Sequence, residues 1–131
     1  MITQRAQTMV AEAIAIATEI SMGSLESIHF LIAMTGERVS IPGLVLDQNG
    51  VDKDGLRSVI GSVGREDVGT LRDEIFSVAK QLGHTYPGPE HFLLAICRGK
   101  NWNGAIALRA LGIDPQKIEH EVYEVLGTWI Q

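Results

Sequence analysis

The residues of this chain that could do chemistry are few, and they do not assemble into a reaction centre. Glu90 and His91 are adjacent, but the second histidine that an H-E-x-x-H zinc helix needs is missing, so no metal site is expected. His84 and His120 have no evident partners in the sequence. Cys97 is the single cysteine and falls in an apolar run, where it reads as a small core residue; a nucleophile would need a lowered pKa and a positioned base. One cysteine allows no intrachain disulfide and fits a reduced, cytosolic setting. No nucleophile, base and orienting acid fall at a recognisable spacing, so the chain is not expected to be an enzyme or to need a cofactor. Trp102, in a loop, and Trp129, in the terminal segment, could each mark a contact surface or pack back on the domain.

Two of the histidines disclose the organisation that must position everything else. Moving back sixty-two positions, His91-Phe92-Leu93-Leu94-Ala95-Ile96 lands on His29-Phe30-Leu31-Ile32-Ala33-Met34, and the same shift pairs Leu108 with Leu46, Gly112 with Gly50 and Asp114 with Asp52. A gapless register of this length means one supersecondary unit used twice. Histidines repeated beside phenylalanines near helix starts read as packed, hydrogen-bonded structural residues.

Each unit reads as four helices. Thr3 caps a first helix whose inner stripe is Met9, Ala13, Ile16, Ala17 and Ile20, and Ser21 to Ser24 interrupts it. Ser27 is expected to cap a second helix that buries Phe30, Leu31 and Met34. Pro42 sits in the first turn of a short third helix closed by Gly50. Asp52 caps a fourth helix with the stripe Leu56, Val59, Ile60 and Val63. The pattern then repeats: Leu71, Ile75, Val78, Ala79 and Leu82, with a stop at Gly83; His91 to Cys97; a loop over 99–103; Ala105 to Leu111, ended by Gly112; and a last helix opened by Asp114-Pro115, with Ile118, Val122 and Val125 inside. No β-alternating run is found. The expectation is an all-α fold of eight helices in two tandem four-helix repeats, about 1–63 and 64–127, related by a pseudo-twofold axis within a single domain spanning 1–131.

The 131 residues, 45% hydrophobic and 21% charged, fit one soluble domain. A unit of about sixty residues is marginal alone, so the repeats should share a core. A formal net charge of −5 and a pI near 5.3 disfavour a nucleic-acid surface. Short helices joined by glycine turns can imitate a helix-turn-helix, which keeps a helical DNA-binding regulator as the alternative reading. The start Met1-Ile2-Thr3-Gln4-Arg5 lacks the features of a signal peptide, and no apolar run approaches a membrane span.

Ile2-Thr3-Gln4-Arg5-Ala6 resembles an F-T-x-R-A opening. Leu82-Gly83-His84-Thr85-Tyr86-Pro87-Gly88-Pro89-Glu90-His91-Phe92-Leu93-Leu94 resembles an L-G-H-x-Y-[IV]-G-T-E-H-[IL]-L-L signature. Both belong to the Clp N-terminal domain, also called the Clp repeat domain, and the resemblance covers essentially the whole chain. It implies a tandem of two four-helix repeats that receives substrates or adaptors ahead of the ATPase modules of an unfoldase. This chain has no G-x-x-x-x-G-K-[ST] phosphate loop, so it is expected to be the non-catalytic binding module alone, an N-terminal domain or a freestanding accessory. Its implied partners are protein substrates or adaptors and Clp ATPase or protease subunits, with no nucleic acid or membrane.

In ClpC proteins of the firmicute type, the Thr opening each repeat and the Glu before the His form two phosphoarginine pockets. Here Thr3 is kept but faces Ile28, and Glu90 is kept but faces Arg65. Isoleucine cannot accept a guanidinium as a carboxylate does, and Arg65 could meet a phosphate or pair with Glu90. The expectation is weak or absent phosphoarginine binding, with a partner instead using an apolar groove near Ile2, Ile28 and Tyr86. The candidate peptide- or adaptor-binding residues are therefore Ile2, Thr3, Ile28, Arg65, Tyr86 and Glu90.

Overall fold

The computed structural model describes residues 1–20, 24–37, 39–99 and 101–127, and there the chain is helical with no strand. Ser21, Met22 and Gly23, from the expected break after the first helix, and Trp129 lie outside the described residues. The helices are α1 (Gln4–Ile20), α2 (Ser27–Thr35), α3 (Ile41–Gln48), α4 (Lys53–Val59), α5 (Gly69–Gln81), α6 (Pro89–Arg98), α7 (Asn103–Ala110) and α8 (Pro115–Leu126). Helices α2, α3 and α4 begin sixty-two residues before α6, α7 and α8. Gly50 and Gly112 close α3 and α7 at φ 74° and 80°, a left-handed conformation that favours glycine.

Local chemistry accounts for most helix starts. Thr3 Oγ1 accepts from Ala6 N at 3.1 Å and Asp52 Oδ1 from Gly55 N at 2.7 Å. Asp114 Oδ1 accepts from Gln116 N at 2.9 Å, just ahead of Pro115. Ser40 Oγ caps α3 through Gly43 N. At α2 the cap is Glu26 rather than Ser27, which is already helical. Asn103, expected in a loop, is the first residue of α7 and is buried.

Most of the stripes bury as their spacing requires, though Ile16, Ile20 and Leu82 are only half-buried, and two helices depart further. Helix α4 ends at Val59, a 3-10 turn covers Ile60–Ser62, and Val63 is extended, so Leu56 alone of that stripe is buried. On α8 Val125 is 46% exposed and Tyr123 is buried instead, its ring beside Arg98 and its hydroxyl bonded to Glu119. The inner face of α1 is Ala6, Met9, Ala13 and Ala17, small enough for close approach to α2. Trp102 is half-buried: its ring covers Gly99 and its Nε1 donates to Glu74 at 3.1 Å. Cys97 is buried, and that burial pushes its thiol far above its ordinary value, as an inert core residue requires.

Helices α2 and α6 form the centre, each buried along almost its whole length. Their equivalent phenylalanines, Phe30 and Phe92, meet edge to face at 5.3 Å between centroids, on the pseudo-twofold axis. The repeats also exchange helices: α7 packs on α2 and α4, and α3 packs on α6 and α8. One core therefore runs through both repeats.

Where the repeats join, Glu66 sits between two helix N-termini. Its carboxylate accepts from Ser27 N at the start of α2 and from Asn103 N at the start of α7, the latter at 2.6 Å. Around it, Asn103 Oδ1 accepts from Ser27 Oγ at 2.8 Å and Ile28 N at 2.9 Å, while Ser27 Oγ accepts from Gly104 N at 2.8 Å. Glu26 completes the ring by accepting from Glu66 N at 2.9 Å. This use of Glu66 explains why α5 starts at Gly69, later than the repeat dictates: the three residues before Gly69 are spent crossing between the repeats.

The two repeated histidines do the same work twice. Glu26 N donates to His29 Nδ1 at 2.9 Å and Gly88 N to His91 Nδ1 at 2.8 Å, each ring folding back over its own helix start. Both rings are held below the ordinary value of 6.5, first by burial, against the opposing pull of Glu26 and Glu90 respectively.

Three outcomes follow for stability. Leu31→Ala and Leu93→Ala, at positions with no exposed area, should each cost roughly 2–5 kcal/mol, read as a lowered urea midpoint; an unmoved midpoint would place that helix at the periphery. Glu66→Ala strands two buried-end amides and should cost about 1.5–3 kcal/mol by the same measurement. Because the folded state prefers neutral His29 and His91, the unfolded chain binds more protons just below 6.5. Stability should thus be full above that value and fall as pH is lowered from 7.5 to 5.5, and a flat urea midpoint across that range would contradict it.

Candidate functional site

The largely apolar opening in the surface lies over the paired phenylalanines. It has a volume of about 490 Å³, and the nearly buried Phe30 and Phe92 line its inner side. Met1 and Ile2 form one wall. Val68, just before α5, and Leu71, Ile75 and Phe76 of α5 form the other. Among the described residues that line it, Arg72 has the one charged side chain, and its guanidinium lies 5.9 Å from the centre of the Phe76 ring. A site of this kind excludes water from an apolar side chain and offers one cation at its edge.

The wall made by Met1 and Ile2 is fixed from behind. Thr3 N donates to Pro87 O at 2.9 Å, which ties the N-terminal segment to the loop before α6. That loop is held by His84 N, which donates to Ala79 O at 2.9 Å, by Gly88 N on His91, and by the ring of His84, whose Nδ1 is 2.7 Å from His91 Nε2. The two imidazoles meet edge to face at 4.9 Å. His84 thus has a partner that the sequence did not reveal, and His120 has one in Glu124 at 3.2 Å.

Of the six residues singled out in the sequence, the structure brings Ile2 and Thr3 to this place and sets the others apart. Thr3 spends its hydroxyl on the α1 cap. Tyr86 is 52% exposed in the adjoining loop but does not line the groove. Ile28 has no exposed area and its amide is taken by Asn103, so it belongs to the α2–α7 contact and cannot line a surface groove. Arg65 is exposed, and among the described residues no carboxylate lies within 4.0 Å of it, so the pair with Glu90 is not formed. Glu90 instead folds back over Gly88, with Oε1 3.6 Å from His91 Nδ1.

Sequence reasoning missed Val68, Arg72, Phe76 and the roles of Phe30 and Phe92 as lining. Phe76 was the available signal: it sits beside the buried stripe of α5 and remains half-buried, a large ring that the core does not use.

No protein-family model matches the chain. The chaperone protein ClpC2, chloroplastic, of Oryza sativa subsp. japonica is 32% identical over 113 residues, which cover 76% of this chain and 12% of the relative. The negative regulator of genetic competence ClpC/MecB of Bacillus subtilis is 26% identical over 138 residues, covering 96% of this chain and 17% of the relative. The chain spans less than a fifth of the length of these curated relatives. Among solved structures, the N-terminal domain of the caseinolytic protease associated chaperone ClpD from Arabidopsis thaliana superposes with a TM-score of 0.75 at 14% identity, over 96% of this chain and 94% of that one. The repeated helix register, the Leu82–Leu94 motif, these sequence relatives and the match over the full fold together support a Clp N-terminal domain.

Proposed function

We propose that this domain is a non-catalytic receptor for unfolded polypeptide, acting within or beside a Clp unfoldase, and that the groove over Phe30 and Phe92 is where it binds. The observation that carries this reading is the groove itself: about 490 Å³, apolar on both walls, and held open by helices whose positions the core fixes. It would take one or two large apolar side chains of an extended segment, of the kind a folded protein hides and an unfolded one exposes. Relatives that carry the names chaperone and regulator of competence give this reading its setting.

Phosphoarginine is not the ligand in this reading. Ile28 is interior, Arg65 stands away from Glu90, and Thr3 is committed as a cap, so neither pocket implied by the resemblance has its members assembled. Isothermal calorimetry with free phosphoarginine should give no heat, and micromolar binding at two sites would refute the point. Ile28→Glu is not a rescue. It would bury a carboxylate at the α2–α7 contact and lower the urea midpoint without restoring a pocket.

The groove is tested with reduced, carboxymethylated lactalbumin, which is permanently unfolded. Val68→Asp places a carboxylate in the apolar wall at the start of α5, where the helix itself tolerates an acid. Affinity should fall at least tenfold, about 1.4 kcal/mol, with the urea midpoint kept. Equal binding by the variant would move the site elsewhere.

A further inference from the structure

The two histidines behind the groove wall form a chain of donors whose direction is set at one end. Gly88 N–H donates to His91 Nδ1 at 2.8 Å, so that nitrogen carries a lone pair and the ring proton of neutral His91 must be on Nε2. Nε2–H then donates across 2.7 Å to His84 Nδ1. The chain holds only while both rings are neutral. A proton on His84 Nδ1 sets two N–H groups against each other, and a proton on His91 Nδ1 displaces Gly88 N–H and turns that nitrogen toward Glu90 Oε1 at 3.6 Å. What the chain holds is the loop 84–88, and Pro87 O of that loop holds Thr3 N, next to the Met1 and Ile2 wall of the groove.

We propose that the His84–His91 pair is a proton-operated latch on the groove: neutral, it clamps the N-terminal wall through the Pro87 carbonyl; protonated, it frees that wall. The proposal rests on the groove as the binding site. His84 is exposed, while His91 is buried, and that burial pushes the ring of His91 below its ordinary value.

The charges around the pair leave it free to respond. Those that act on His91 are Glu90, from its own helix, and His84. Arg5, Glu12 and Glu19 of α1, Asp47 of α3, Arg72, Asp73, Glu74 and Lys80 of α5 and Arg109 of α7 are all solvent-exposed. On α8, Glu119 is engaged by Arg98 and Tyr123, Glu121 by Asn49, and His120 is within reach of Glu124; Lys117 and Glu124 are exposed. Helix α2 brings His29, bonded to its own Glu26 N.

Amide hydrogen exchange at Thr3 and Gly88, resolved by NMR and corrected for the intrinsic pH dependence, reads the latch directly, with Leu31 in the central helix as the report of global opening. In the wild-type chain, protection of Thr3 and Gly88 should fall about tenfold relative to Leu31 between pH 7.5 and 5.5. His84→Gln keeps an acceptor for His91 Nε2–H but cannot titrate, and should hold its protection across that range. Unchanged protection in the wild type, or the same loss in His84→Gln, overturns the latch. The neutral fluorophore N-phenyl-1-naphthylamine reads the groove separately. Failure to bind at pH 7.5 would sink the groove reading, whereas binding at pH 7.5 with an affinity that is the same at pH 5.5 would overturn the coupling alone.

Discussion

Every helix start has amides that its own turns cannot satisfy, and in this fold two such starts, those of α2 and α7, are brought together in the interior by a single side chain. Glu66 takes Ser27 N with one carboxylate oxygen and Asn103 N with the other. A negative charge shared by two positive helix ends is favourable at both, and the geometry is possible only if the repeats have already docked. The residues around it leave no donor idle, since Ser27 and Asn103 bond each other and each serves the other's helix. This is a joint between repeats built from polar groups in a place where apolar packing alone would not fix the register.

The joint explains why the halves are interdependent. Helix α7 belongs by sequence to repeat two but lies on α2, and Gly104 is there because a side chain would strike Ile96, Leu31 and Ser27. Phe30 and Phe92, equivalent residues that must meet at the axis, come together as a ring pair, and the groove opens over them. A two-fold repeat thus produces a site that neither repeat contains.

What the sequence made legible were features that act over a few residues. Thr3, Asp52 and Asp114 cap where their spacing says they should, the left-handed glycines close their helices, and the apolar stripes of α2 and α6, with most of those of α1 and α5, are buried. The misses are long-range. Ser27 looked like a cap because serine precedes an apolar run, yet its hydroxyl serves a helix 77 residues away. Glu66 carries no local signal, because its amide partners lie 39 and 37 residues distant. Val125 fitted the spacing of α8 but not the direction in which that helix is covered. The candidate site was half legible for the same reason: Ile2 and Thr3 came from an opening motif, but the groove draws on four segments, the N-terminal residues, α2, α5 and α6, that become neighbours only in the folded chain.

Positions 28 and 90 are equivalent in the repeat, and the difference between them organises the surface. Ile28 makes the start of α2 apolar and accepts burial, so α7 can seat on it and Glu66 can seal the seam. Glu90 resists burial and stays partly exposed at the start of α6, so the loop that precedes it remains at the surface, fastened by His84 and His91. Had both positions been acidic, the α2 end could not have been closed without stranding a charge. Had both been apolar, the loop that carries Pro87 would have had reason to fold under a neighbouring helix, and the Met1 and Ile2 wall would have lost its anchor. The asymmetry therefore assigns the two ends of the pseudo-symmetric fold different duties: one end is a sealed joint that holds the repeats in register, and the other is a tethered, solvent-facing edge beside the groove.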